Sequence, residues 1–386
     1  MTDTVGTRGP SLLCVVGFPA NTGFAWDFLE GLYARMADVL AGRGVRTHVA
    51  YPEVGAPPAT LDGSTASFVE LDASLGDDTS LEATRSFVAA NDVRAIFLID
   101  QPAYNRRYAA IRNAGVRRVV VYDHTSGSRT IPSGVKRVAK RLLRRNREHM
   151  ADEILTVSDY VGRRQVEVAL LPPEIIHTVH NGLEVPPKDP AAAGRLRELL
   201  GLDPARTVIG AASRAAPEKG IDNLLRAYDK ACDTWDPPVP ALVFFGDGPA
   251  LEGLRTLAGG LRHHEHVHLP GYSPGADALL EGADVCVVPS VWEDALPLSV
   301  LGSMARGNLV IGTRVGGIPE MIEDGVSGLL VPAADVSALA EALRAAISDP
   351  ELRARLGSAA RERVALHFRP EDQIRRMVAS VESAFD

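Results

Sequence analysis

Arg214 and Lys219 stand five residues apart in SRAAPEKGIDNLLRA, just after one apolar run and just before an amphipathic one. Two cations at the end of a strand that leads into a helix suit a diphosphate. Guanidinium and ammonium supply full charges, and the helix N-terminus adds a partial one. Standing alone, such a pair is also what a solvated turn displays. His124, in YDHTSG, closes another apolar run, where a strand-end histidine packs, meets solvent or reaches a substrate. Asp100, in FLIDQP, holds the same place one run earlier and could equally satisfy loop N–H groups. Gly316 and Gly317, in TRVGGIPE, allow a close backbone approach or a tight turn. The segment 136–149, KRVAKRLLRRNREH, carries seven Lys or Arg within twelve residues, with Leu142 and Leu143 among them. It reads as a solvated charged helix, an interfacial helix touching anionic lipid, or an electropositive rim that guides an anionic substrate.

These groups need elements to hold them. Short continuous apolar runs recur at 11–18, 45–52, 93–100, 117–124 and 152–159, and again at 207–213, 241–248, 266–272, 285–290, 309–316 and 328–332. Continuous rather than alternating apolar character suits strands covered on both faces, as in a parallel sheet. Between the runs lie segments of helical period. In WDFLEGLYARMADVLAGRG, Phe28, Leu32, Met36 and Leu40 recur at four-residue steps before a glycine ends the pattern. Strand–helix alternation throughout implies a doubly wound α/β architecture. The stretch 180–194, HNGLEVPPKDPAAAG, breaks the alternation and reads as a linker with one sheet on either side. Two such sheets facing each other would gather strand ends, glycine loops and helix N-termini around one ligand-binding cleft.

Composition sets bounds. At 386 residues, 46% of them apolar, the chain is long enough for two domains with separate cores. A net charge of −8 argues against a nucleic-acid partner. Three cysteines, far apart, support neither a disulfide framework nor a zinc site, and a reducing cytoplasm is the expected compartment. The N-terminus lacks a secretion signal, and no apolar run approaches the ~20 residues needed to span a bilayer. A soluble protein is expected, and any membrane contact would be peripheral, at the inner face.

The blocks after Arg214 and Lys219 follow in a set order: FFGDGPALEGLRTLA, HVHLPGYS, then ADVCVVPSVWEDALPLSVLGSMARGNLVIGTRVGGIPEMIEDGVSGLLVP. Over residues 150–365 the series resembles the donor-binding half of family-4 retaining glycosyltransferases of the GT-B fold. The resemblance implies two Rossmann-like domains across a cleft: an acceptor domain at 1–185, a donor domain at 186–365, and a C-terminal helix at 366–386 packing back toward the first. It further implies that Arg214 and Lys219 neutralise the donor pyrophosphate in place of a metal ion, so neither metal nor cofactor is expected. Tyr272 falls where relatives contact the base, and Leu298 and Ser299 where backbone N–H groups cap the phosphates. Gly23, in FPANTGFAWDF, matches a glycine facing the donor phosphates and the acceptor, although a plain helix cap by Asn21 or Thr22 fits the same loop. His124 matches a histidine that hydrogen-bonds the transferred sugar. The implied activity is transfer of a sugar from a nucleotide diphosphate sugar to a hydroxyl-bearing acceptor of unknown identity, with retention of configuration.

One departure stands out. The family pattern places a Glu, seven residues, then a second Glu. The first falls on Asp294, with Glu293 beside it as a stand-in, and the second falls on Gly302. The first orients the sugar and the second holds the ribose, which a glycine cannot do. Gly302 therefore keeps a second reading open: a catalytically silent GT-B protein that binds a nucleotide-sugar or a partner enzyme.

Overall fold

The computed structural model describes residues 9–386 apart from residues 24, 128, 234, 236 and 237. The chain divides into two compact units. One comprises the residues up to Thr125 with Arg129–His180 and Glu371–Asp386; the other comprises Ser126–Ser128 and Asn181–Pro370. The boundary thus falls at the first residue of the expected linker, whose last residues already enter a helix, Ala192–Leu199.

The first unit is built on β1 (Ser11–Val15), β2 (Arg46–Tyr51), β3 (Ser67–Glu70), β4 (Val93–Ile99), β5 (Arg118–Asp123), β6 (Glu153–Thr156) and β7 (Ile176–Thr178). They form one sheet of order β3-β2-β1-β4-β5-β6-β7, parallel at every pairing. The interior strand β1 is buried at all five positions, which is why its sequence after Ser11 is continuously apolar. The two outermost strands are different. β3 is four residues long, mostly exposed and half polar, and β7 is three residues long, so neither announces itself in the sequence.

The second unit carries β8 (Val208–Ala212), β9 (Ala241–Phe245), β10 (Val267–Gly271), β11 (Val285–Val288), β12 (Leu309–Thr313) and β13 (Leu329–Val331). Their order is β10-β9-β8-β11-β12-β13, again all parallel. Helix Ile221–Cys232 crosses from β8 to β9 and buries Leu224, Leu225 and Tyr228 against Ile209, Phe244 and Val287. Each such side chain contributes roughly 1.5–3 kcal/mol relative to exposure.

Each sheet reverses its strand order once, between β1 and β4 and between β8 and β11. At such a switch point successive crossovers leave in opposite directions, opening a crevice beyond the carboxyl ends of the two strands. The last helix, Pro370–Glu382, belongs with the first unit from Glu371 onward. It buries Met377 and Val381, and Gln373 donates to the Tyr122 hydroxyl at 2.9 Å. Among the described residues no helix is long and apolar enough to cross a membrane.

Candidate active site

Beyond β8 the chain turns through Ser213 and Arg214 into a short helical turn, Pro217–Lys219. Gly220, at φ +65°, redirects it into helix Ile221–Cys232. Only glycine fits there: a Cβ would stand 2.1 Å from the Pro289 carbonyl oxygen, on the loop that follows β11. The two loops are further joined by the Val291 N–H, which donates to the Glu218 carbonyl at 3.0 Å. This contact sets Lys219 beside the residues following β11. Its Nζ lies 2.6 Å from Asp294 Oδ1, while the Ser290 hydroxyl donates to Asp294 Oδ2 at 2.5 Å. Thr313, at the end of β12, donates to the Ser290 carbonyl at 2.7 Å and fixes that loop in turn.

The glycine pair completes the enclosure. Gly317 donates its N–H to the Asp294 carbonyl at 2.8 Å. Gly316 sits at φ +57°, where a Cβ would fall 2.0 Å from that same oxygen. Close approach, together with a left-handed turn, accounts for Gly316. Helix Leu298–Arg306 starts after Pro297 with no side-chain cap, so the first-turn N–H groups of Leu298 and Ser299 have no acceptor within the helix. Ser299 lines one hollow with Lys219, Ser290 and Asp294, between the carboxyl ends of β8 and β11. A cation, a helix N-terminus and polar loops converge there, the chemistry that suits an anion.

The other expected residues are placed around this centre. Arg214 is exposed and pairs with Glu218 on its own turn, leaving its guanidinium on the rim. Tyr272, half-exposed, follows β10 at the edge of the sheet, two strands from β8. The Glu293 carbonyl accepts the Gly127 N–H at 2.7 Å. Gly302 lies inside helix Leu298–Arg306, where a Cβ would meet Arg306 Nη1 at 3.6 Å and the Asp277 carboxylate at 3.9 Å. Asp277 is thus the nearest acidic group to the missing side chain, and its sequence context gives no sign of it.

In the first unit, His124 follows β5. Its backbone N–H donates to Asp100 Oδ1 at 2.6 Å, but its ring nitrogens are buried and make no hydrogen bond. The Asp100 oxygen is 3.7 Å from Nδ1, too far for one. Asp100 holds φ +54°, a conformation that costs a non-glycine residue about 1–3 kcal/mol and here aims its carboxylate at the His124 loop. Below it, buried Asp123 accepts from the Thr125 N–H at 2.8 Å and from the Gln165 side chain, with Arg164 Nη2 at 3.5 Å. Asp123, Arg164 and Gln165 escaped the sequence reading because about 40 residues separate the partners. Gly23 has φ +83° with open space around its Cβ position, so backbone conformation alone requires glycine. Asn21 bonds the 56–59 loop, and the Thr22 hydroxyl donates to the Pro19 carbonyl.

The cysteines offer no nucleophile. Burial pushes the Cys286 thiol up to about 12 and Cys232 up to about 11, with Cys14 higher still. Among the described residues no group of three or more His, Cys, Asp or Glu is placed to hold a metal ion.

Two doubly wound parallel sheets make this a GT-B fold. Residues 194–363, under half of the chain, match the family model described as "Glycosyl transferases group 1", and the fold is that of the GT-B glycosyltransferases. Among curated proteins it is 33% identical over 262 residues to the GDP-mannose-dependent alpha-(1-6)-phosphatidylinositol monomannoside mannosyltransferase of Mycolicibacterium smegmatis, covering 65% of this chain and 66% of that protein. It is 32% identical over 222 residues to the D-inositol 3-phosphate glycosyltransferase of Saccharomonospora viridis, covering 55% and 51%. The chain therefore spans between about half and just under two thirds of these relatives' length. Solved structures share the fold over nearly the whole chain. A glycosyltransferase from Rickettsia africae superposes with TM-score 0.80 at 18% identity, covering 98% and 99% of the two chains. Anabaena HepE in complex with UDP-glucose gives 0.75 at 19%, covering 97% and 99%.

Proposed function

We propose that this protein transfers a sugar from a nucleotide diphosphate sugar to a hydroxyl-bearing acceptor, with retention of anomeric configuration and without a metal ion, as a family-4 type enzyme. The observation that carries the reading is Lys219, held 2.6 Å from Asp294 in the hollow that the Leu298–Arg306 helix N-terminus opens onto. One relative named above is GDP-mannose-dependent by its name and HepE is in complex with UDP-glucose, which supports the donor class. In the step we assign, the acceptor oxygen bonds to the anomeric carbon on the face from which the bond to the diphosphate oxygen breaks. The acceptor proton passes to that departing oxygen. Negative charge grows on the diphosphate, and Arg214, Lys219 and the first-turn amides stabilise it as it grows, which lowers the barrier rather than merely tightening binding. Asp294 orients a donor hydroxyl, and His124 is assigned to a substrate hydroxyl through its unpartnered ring.

The test is turnover of UDP-, GDP-, ADP- and TDP-sugars in the presence of EDTA, with the product anomer read by NMR. Transfer with retention supports the reading. Complete loss of turnover in EDTA, or an inverted product, overturns it. Gly302 favours a second reading, a silent protein that binds the donor or a partner enzyme. A thermal shift with one nucleotide, accompanied by neither transfer nor hydrolysis of any donor, would select it.

A further inference from the structure

We propose that helix Gly134–Leu143 lies on an anionic lipid bilayer, with the arginine-lined hollow beside it taking lipid phosphate groups. The inference uses only the first unit and is independent of the donor site.

Among the described residues, five of the twelve exposed large hydrophobics, Ile131, Val135, Val138, Leu142 and Leu143, fall within 131–143. No residue of the helix is buried. A surface helix normally turns its apolar row toward the core; this one is inverted. Lys140 Nζ donates to the Val168 carbonyl at 2.7 Å and Arg144 Nε to the Ala169 carbonyl at 3.3 Å. The Arg144 guanidinium also lies 4.4 Å from the centre of the Tyr104 ring. Two cations therefore pin the helix to the body. Val135, Val138 and Leu142, spaced i, i+3 and i+7, form a row on the other side, 85%, 59% and 55% exposed. Nothing among the described residues covers that row.

The charges say what does. Lys136, Arg141 and Arg145 flank the apolar row on a protein whose net charge is −8, so this positive strip runs against the overall balance. An apolar row between cations matches a bilayer, whose acyl boundary takes the Val and Leu side chains while anionic headgroups meet the flanks. Beside the helix, Arg141, Arg144, Arg145 and Arg147 line a hollow of about 350 Å³, walled by Leu170–Pro172. The acidic partner there is Glu174, 3.4 Å from Arg147. Arginine forks in such a concavity suit phosphate oxygens.

The test is co-sedimentation of the full chain with vesicles of phosphatidylcholine alone and of phosphatidylcholine mixed with phosphatidylglycerol. The expected result is binding at least ~10-fold stronger to the mixed vesicles, weakening as salt rises. Two double variants, Val138→Ser with Leu142→Ser and Arg141→Gln with Arg145→Gln, should each lower it ~10-fold or more. Unchanged melting temperatures would show that the variants fold. Inorganic phosphate should leave vesicle binding in place at matched ionic strength. Binding of inorganic phosphate without vesicle binding, equal binding to both vesicle types, or variants that bind like the parent would each overturn the proposal. Such a failure alongside an intact nucleotide shift would leave the donor-site reading standing.

Discussion

The Lys219 ammonium lies 2.6 Å from Asp294 Oδ1, and the Ser290 hydroxyl holds the other oxygen of that carboxylate at 2.5 Å. Both carboxylate oxygens are engaged, while an ammonium with three N–H bonds keeps donors for an incoming anion. The pair is mostly enclosed, with side-chain exposures of 22% and 11%, so neither charge is well solvated without the other. On the proposed reading, a diphosphate entering the hollow would replace part of the partnership of Lys219 and free Asp294 to accept from a sugar hydroxyl.

Lys219→Ala and Arg214→Ala should therefore separate function from stability. Each removes a cation assigned to the leaving diphosphate, and each should lower kcat by roughly 10²–10³. Only the first should lower the melting temperature, because it leaves Asp294 enclosed without its cation. Arg214 is exposed and paired only on the surface with Glu218, and its loss should stay within about 0.5 kcal/mol of the parent. Paired kinetics and thermal melts check both halves of the expectation.

Two glycine-to-alanine changes should act in opposite directions. Gly316→Ala puts a Cβ 2.0 Å from the Asp294 carbonyl oxygen at φ +57°, and should destabilise by at least about 2 kcal/mol while loosening the loop that frames Lys219. Gly302→Ala places its methyl group in the interior of a helix with nothing nearer than 3.6 Å, and should stabilise by about 0.5–1 kcal/mol. Chemical denaturation at a common m-value decides both.

The sequence showed eleven of the thirteen strands, most of them buried enough to force continuous apolar runs. It hid β3 and β7, since edge strands are free to be polar or short. The spacing of Arg214 and Lys219 was legible because both lie on one loop. The partnership of Lys219 with Asp294 spans 75 residues and exists only because β8 and β11 are neighbours. The Asp123–Arg164–Gln165 network was illegible for the same reason: each residue alone resembles any surface polar group. The polar character of Asn21 and Thr22 was visible, but the partner loop of Asn21, some 35 residues on at 56–59, was not.

His124 should separate activity from stability differently. Both ring nitrogens are buried without a partner, so the native state already bears their desolvation. His124→Phe keeps a ring of similar shape beside Tyr122, whose centroid is 4.2 Å away, and removes those two atoms. The melting temperature should hold or rise, whereas turnover should fall roughly tenfold or more through loss of a substrate hydrogen bond. A variant that lost stability and kept full turnover would assign His124 to the scaffold instead.

Glu30 carries a pH dependence whose sign follows from its surroundings. It is 1% exposed on helix Ala25–Ala41, and the Thr60 hydroxyl donates to its Oε2. Burial, the leading cause, raises its carboxyl above the ordinary 4.5, and the nearby Asp27 charge adds to this. A raised folded-state value means that the native protein binds this proton more tightly than the unfolded chain does. Its contribution to stability is therefore fully present below the ordinary glutamate range and lost as pH rises through the raised value. Glu30→Gln keeps an acceptor for Thr60 and cannot ionise. It should match the parent in acid and become progressively more stable than the parent between about pH 4 and neutrality. Melting temperatures of both proteins across that range test the sign, because an advantage for glutamine that shrank as pH rose would mean that the carboxylate is stabilised in place.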